Sequence, residues 1–396
     1  MNELLQDADL CVKCGLCLPH CPTYQETCNE NESPRGRIAL IQAYADGHLD
    51  ATPALLAHID NCLLCRSCEK VCPAEVPYGR LIDRFRARTQ SLQPFSPAVA
   101  LLKRIAANHT LHRWAQAGLR FYQTHSLQRL GLLRLLNLDA MNRLLPSLSD
   151  SVEPLQSYYT AHGNAKGDIG LFTGCMGTLL DQSSLQAAIK CLTAAGFNVH
   201  VPAKQTCCGA LAQHDGNADV ASQLAEKNCR AFAIPNLTAI VSIASGCGAQ
   251  LKEYQNADLA VKIVDVSRFL SQNADFSNRL APLAATVCLH SPCSLKNVMR
   301  DEEGALALLR QIPELSIDEL PKATLCCGAA GSYVLKHPKM ANALVDQVLN
   351  AAIATQADTL ITSNIGCSLH IAAGLRERGE NMKVLHPVEL LAQQLR

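Results

Sequence analysis

Twelve residues from Cys11, CVKCGLCLPHCP, set four cysteines and a proline at the spacing C-x2-C-x2-C-x3-C-P, and CLLCRSCEKVCP repeats it from Cys62. Thiolates are soft ligands, and four of them suit either tetrahedral zinc or an iron–sulfur cluster. Zinc sites pair two short Cys or His hairpins. Three cysteines at two-residue gaps, closed by a fourth and a proline, fit a cluster instead. Pro22 and Pro73 turn the chain out of each loop and bring no N–H that needs a partner. A disulfide scaffold is the rival, and two full copies of the run argue against it.

The doubled run resembles that of bacterial two-cluster ferredoxins, where the fourth cysteine of each run ligates the other cluster. It assigns Cys11, Cys14, Cys17 and Cys72 to one [4Fe–4S] cluster and Cys62, Cys65, Cys68 and Cys21 to a second. Two clusters in one small fold make an electron wire, not a catalytic centre.

Eight further cysteines form two sets. Cys175, Cys207–Cys208 and Cys247 recur as Cys293, Cys326–Cys327 and Cys367, at offsets of 118, 119 and 120 residues. So small a drift marks an internal repeat. Neighbouring cysteines rarely bridge each other, but two thiolates on one loop can share a metal. Gly209 and Gly328 let the chain turn sharply beside each pair. Each set brings four thiolates, enough for a further iron–sulfur cluster or for zinc, unless the thiols are simply buried. Cys28, Cys191, Cys229 and Cys288 are left over and read as ordinary small buried residues.

The elements that must hold these residues follow from pattern. Ser33 and Pro34 open a helix over about 34–46 that Gly47 ends, with another over 52–60. Arg35 and Arg37 near its start are placed to approach the clusters, or else to stay solvated. Over 84–148, nine arginines and Lys103 face the single acid Asp139. Leucines there recur at helical spacing, predicting amphipathic helices with one basic side: a solvated connector, or a docking face for an acidic subunit or an anionic membrane. From about 168, strands such as DIGLF, FNVHV and LTAIVS alternate with helices, as in α/β units with parallel strands. The fold class is thus α+β multidomain. Residues 1–90 form a helical ferredoxin-like module, 91–165 a basic helical connector, and 166–284 and 285–396 two homologous α/β lobes.

Composition sets the class. A chain of 396 residues with 48% hydrophobic content and 18% charge is globular with a sizeable core. Zero formal net charge argues against a nucleic-acid partner. Cysteines gathered in ligand clusters imply a reducing cytoplasm. The first residues read as no signal peptide, and no apolar run reaches the ~20 residues that span a bilayer.

The two runs, with SPRGR, TCCGA, ASGCGAQLKEY, LCCGAAGSY and NIGCSLH, together resemble the iron–sulfur subunits of bacterial glycolate oxidase (glycolate dehydrogenase). The wider group shares a Cys-Cys-Gly domain with the heterodisulfide reductase catalytic subunit, the anaerobic glycerol-3-phosphate dehydrogenase anchor subunit and lactate-utilisation iron–sulfur proteins. One departure stands out: the fullest form of that domain ends in C-x-x-C, and here Ala244 and Asn364 replace its first cysteine. That puts disulfide chemistry in doubt. No G-x-G-x-x-G, Walker loop or H-E-x-x-H is present, and His290 and His370 read as core or supporting residues. The chain has no catalytic residues of its own; taking hydride from an alcohol needs a flavin or nicotinamide. The resemblance implies flavin-binding glycolate oxidase subunits as partners and quinone or another respiratory acceptor. The location it implies is cytoplasmic, with a peripheral contact on the cytoplasmic face of the inner membrane as an option. A D-lactate or glycerol-3-phosphate version of the same arrangement is the alternative.

Overall fold

The computed structural model describes residues 2–92, 96–125, 139–146, 153–276, 278–321 and 326–396. Its N-terminal part is helical. Helices Asn2–Ala8, Pro34–Ala45, Pro53–Asp60 and Tyr78–Arg88 enclose a core of Ile38, Ile41, Leu55, Leu56, Ile59, Leu81, Ile82 and Phe85. The Ser33 hydroxyl accepts the Gly36 N–H at 3.0 Å and Pro34 takes the first helical position, as expected. The helix ends one residue before the predicted boundary, with Gly47 at φ 77°.

The residue between the two cysteine runs that pins them is Arg37. Its guanidinium is 1% exposed and donates to Glu32 Oε2 at 2.5 Å, to the His58 carbonyl at 2.7 Å and to Thr23 Oγ1 at 3.1 Å. Glu32 also holds His58 Nδ1 and accepts from Asn61 Nδ2 at 2.7 Å. Breaking a buried pair of this kind costs about 3–5 kcal/mol.

The connector places helices Pro97–Ala107, His109–Thr124 and Asp139–Leu144 against the lobes. Part of the positive charge of the segment 84–148 is taken up inside the protein, while Arg104 and Arg113 are exposed. Arg84 pairs with Asp7, Lys103 with Asp215 and Arg143 with Glu377, while buried Arg86 donates to the carbonyls of Ile59, Asp60, Cys62 and His214. A net charge counted along the chain cannot tell which arginines meet internal carbonyls. Arg129 and Arg134 lie outside the described residues.

The first lobe is a sheet of β1 (Tyr158–Tyr159), β2 (Gly167–Phe172), β3 (Phe197–His200), β4 (Leu237–Ser242) and β5 (Ile263–Asp265), in the order β1-β3-β2-β4-β5. All its pairs are parallel except β1 with β3. The second is β6 (Ala285–His290), β7 (Leu315–Glu319), β8 (Thr359–Thr362) and β9 (Lys383–Leu385), ordered β7-β6-β8-β9 and all parallel. The four strands of each repeat therefore share one winding.

The lobes pack by exchange. Helix 182–194 of the first lies on helix 387–394 of the second, and helix 266–273 of the first on helix 302–309 of the second. These are equivalent pairs taken in opposite order, so the two sheets share one core in which Leu185, Leu192, Val266 and Leu270 join Leu308, Leu309, Val388 and Leu391. Gly304 permits the second crossing: a Cβ there would sit 2.5 Å from Arg268 Cα.

Candidate metal centres

Both cysteine runs bend the backbone alike. Lys13 and Gly15 flank Cys14 with φ of 57° and 85°; Leu64 and Arg66 flank Cys65 with φ of 52° and 58°. Left-handed residues are costly for a side chain, and Arg66 is held there by Glu69, 2.7 Å away, and by Glu253. Gly15 has a second reason, since a Cβ would lie 2.7 Å from an Arg35 nitrogen.

Cys11, Cys14 and Cys17 line one cavity partly open to solvent, and Cys68 and Cys72 of the second run join them. Arg35 and Tyr78 lie on its wall. Cys21 sits elsewhere. Its Sγ is 3.3 Å from Thr23 Oγ1 and 3.4 Å from the Glu32 carbonyl, inside the Arg37 network. The Tyr78 hydroxyl meets Cys62 Sγ at 3.7 Å, and Cys62 and Cys21 both act on the charge of Arg37. The two arginines of SPRGR therefore face different thiol groups, Arg35 the first and Arg37 the second. Burial raises the Cys68 thiol well above its usual range, with Cys65, Cys62 and Cys21 adding to the effect.

In each lobe the parallel winding brings the strand C-termini to one edge, where ligand sites of such sheets form. Cys175 opens the helix after β2, Cys207–Cys208 follow β3, and Cys247 lies in the helix after β4. Cys293, Cys326–Cys327 and Cys367 repeat those places after β6, β7 and β8. Cys175 and Cys207 are 3.5 Å apart. The glycines match as well: the N–H of Gly209 reaches Cys207 Sγ at 3.5 Å, and that of Gly328 reaches Cys326 Sγ at 3.5 Å. Gly328, at φ 68°, would put a Cβ 2.4 Å from the Ala341 carbonyl oxygen, so no other residue fits.

One thiol per lobe is favoured as thiolate. Hydrogen bonds from Cys175 and Cys208 hold Cys207 well below the usual thiol range despite burial. A hydrogen bond from Cys326 lowers Cys293 to about 7, again against burial. Four soft donors, one of them favoured as thiolate, fit an iron–sulfur cluster or zinc. Among the described residues, no three His, Cys, Asp or Glu side chains are gathered as a single metal ion would need.

His370 supports the second set, its Nδ1 2.6 Å from the Cys327 carbonyl and its pKa lowered to about 4 by burial. His290 is buried and neutral, 2.9 Å from Thr362 Oγ1, with its pKa also lowered to about 4 by burial. Of the left-over cysteines, Cys191 and Cys288 are buried, whereas Cys229 is half-buried and Cys28 is exposed in a left-handed helix cap.

Two contacts were not visible in the motifs. Asn364, at the position of the missing cysteine, donates Nδ2 to Cys367 Sγ at 3.4 Å and accepts the Gly246 N–H of the other lobe at 3.2 Å. The second lobe also clasps the second cysteine run. Asn297 donates to the Cys65 carbonyl at 2.7 Å, the Tyr333 hydroxyl meets Asn61 at 2.6 Å, and Leu63 and Cys65 share a buried cluster with Cys326. Burial raises the Cys65 thiol, and Cys293 raises it further.

Comparison with known families agrees with this layout. A 4Fe-4S dicluster domain matches residues 7–76, and a cysteine-rich domain matches twice, at 169–252 and 287–372. The chain is 32% identical to the probable glycolate oxidase iron-sulfur subunit of Bacillus subtilis, over 99% of this chain and 95% of that one. It is 29% identical to the glycolate oxidase iron-sulfur subunit of Escherichia coli, over 97% and 93%. Lactate utilization protein A 2 of Bacillus cereus is 26% identical and aligns with 57% of this chain.

Proposed function

The chain belongs to the family of glycolate oxidase iron-sulfur subunits, and from that premise we propose that it carries electrons from a partner flavin to a respiratory acceptor such as quinone. The complex would oxidise glycolate to glyoxylate; a D-lactate or glycerol-3-phosphate dehydrogenase complex is the alternative, since the substrate pocket lies on another chain. Bound clusters would supply one-electron steps between the flavin and the acceptor. The ligand sets are those of the sequence reading: Cys11, Cys14, Cys17 and Cys72 for one [4Fe–4S] cluster, Cys62, Cys65, Cys68 and Cys21 for the other, and the lobe cysteines for a further cluster or zinc.

The observation that carries this reading is the contact of Cys65 with the second lobe. Cys14 is exposed, whereas Cys62 and Cys68 are buried, and Cys68 reaches the cavity that Cys14 lines. Cys326 packs with Leu63 and Cys65 of the second run. Thiol groups therefore follow one another from the surface inward, as a wire requires. The residues of the chain hold and space such carriers; none takes a hydride.

The purified, flavin-free chain is expected to show no oxidation of glycolate with any artificial acceptor. Activity is expected to return on adding the flavin subunits. Turnover by the flavin-free chain would overturn the subunit reading.

A further inference from the structure

The helix His109–Thr124 presents an apolar stripe to solvent. Trp114 is 73% exposed, Phe121 58% and Leu111 37%, and with Gly118 they fall on one side at spacings of three and four. Leu101, 43% exposed, extends the patch from the preceding helix. Arg113 is exposed along the edge of the stripe and Arg104 beside Leu101, while Arg120 turns to the first lobe and donates to Gln182 Oε1 at 3.1 Å. No Asp or Glu occurs between residues 97 and 125. The opposite face is fixed to the first lobe: Gln116 donates to the Thr178 carbonyl at 3.0 Å, and His112 Nε2 lies 2.9 Å from Thr178 Oγ1.

We propose that this stripe, Leu111, Trp114 and Phe121 with Arg104 and Arg113, seats the protein on an anionic lipid surface. Charge and composition select that occupant. Aromatic and aliphatic side chains on one face, with arginines and no acids beside them, are what an interfacial helix lays into the boundary between headgroups and acyl chains. Arginine at that depth gains from anionic lipid, whereas an uncharged surface offers it nothing. No helix among the described residues is long and apolar enough to cross a membrane, so contact of this kind would be peripheral.

The inference deepens the respiratory-acceptor reading and rests on it for its purpose, though not for its test. Thr178 lies in the helix Cys175–Leu180, whose first residue belongs to the first lobe's thiol set. Only the one helix, about 10–12 Å thick, separates that set from the proposed lipid plane. An acceptor dissolved in the bilayer would then meet the first lobe.

Trp114 is the only tryptophan of the chain, so its emission reports this surface alone. The full chain, with clusters intact, is mixed with phosphatidylcholine vesicles and with vesicles also containing about one-third phosphatidylglycerol. Co-sedimentation and a blue shift of Trp114 emission are expected with the anionic vesicles and not with the neutral ones. Arg104→Glu with Arg113→Glu is expected to weaken partitioning roughly tenfold or more, because each cation near the surface contributes. Trp114→Ala with Phe121→Ala is expected to weaken it too, while leaving far-ultraviolet circular dichroism and the cluster EPR spectra unchanged. Emission already blue in the lipid-free chain and unmoved by either vesicle would mean that protein covers the stripe, and would overturn the proposal. So would retention by the flavin subunits through these residues with no vesicle binding. These readouts need no substrate, so a wrong assignment of the complex would leave them standing.

Discussion

Cys21→Ser is expected to remove the cluster of Cys62, Cys65 and Cys68 and to leave that of Cys11, Cys14 and Cys17 in place. Cys21 ends the first run in the chain but lies with the second in space. Its sulfur contacts Thr23 and the Glu32 carbonyl, both bound into the Arg37 network on which Cys62 also acts. Cys72, from the second run, lines the cavity of the first, and so does Cys68. A serine hydroxyl is a poor substitute for a soft thiolate, so about four irons per chain should be lost, the content of one [4Fe–4S] cluster. Iron analysis and EPR of the reduced protein check this, with Cys72→Ser as the reciprocal variant. If Cys21→Ser altered only the signal of the first run, the exchange of ligands would be wrong.

Anaerobic metal analysis is expected to find more than the about eight irons of two [4Fe–4S] clusters, the excess residing in the lobes. Zinc at four thiolates is the second choice and would only hold a lobe together. Cys326→Ser should remove metal from the second lobe and also change the relaxation of the Cys62–Cys68 cluster signal, because Cys326 and Cys293 lie against Cys65. Cys207→Ser, in the first lobe, should leave that signal alone. About eight irons and no zinc would mean empty lobes.

Much of this was legible in the sequence, and unevenly. The Ser33–Pro34 helix start, the strands at DIGLF and LTAIVS and the repeat of the Cys-Cys-Gly sets were readable because each is a local signal: a cap, an apolar run, a spacing. What the sequence withheld were choices made in space. Arg35 and Arg37 sit two residues apart, so their side chains leave the helix in directions some 200° apart, and only the fold shows that each meets a different thiol group. The segment 84–148 reads as helices with one basic side, yet Arg86 is buried among carbonyls and Lys103 pairs with Asp215. Nothing in two lobes with the same cysteine spacing says that the second, not the first, closes on Cys65. Asn364 was visible only as a missing cysteine, whereas its amide ties the Cys367 loop to Gly246 across the lobes.

The exchange of helices between the lobes bears on how the protein is made. Helix 182–194 is covered by helix 387–394, where Lys190 donates to the Ala392 carbonyl across 202 residues of chain. At about 5–20 residues per second, the ribosome needs roughly 10–40 s to deliver that cover. During this time the share of the common core that helix 387–394 supplies, Val388, Leu390 and Leu391, is missing from beside helix 182–194. Halting the chain at residue 380 should therefore loosen the first lobe as well as the second. Hydrogen exchange along helix 182–194 of such a truncated chain should be fast; slow exchange there would mean that the first lobe matures alone.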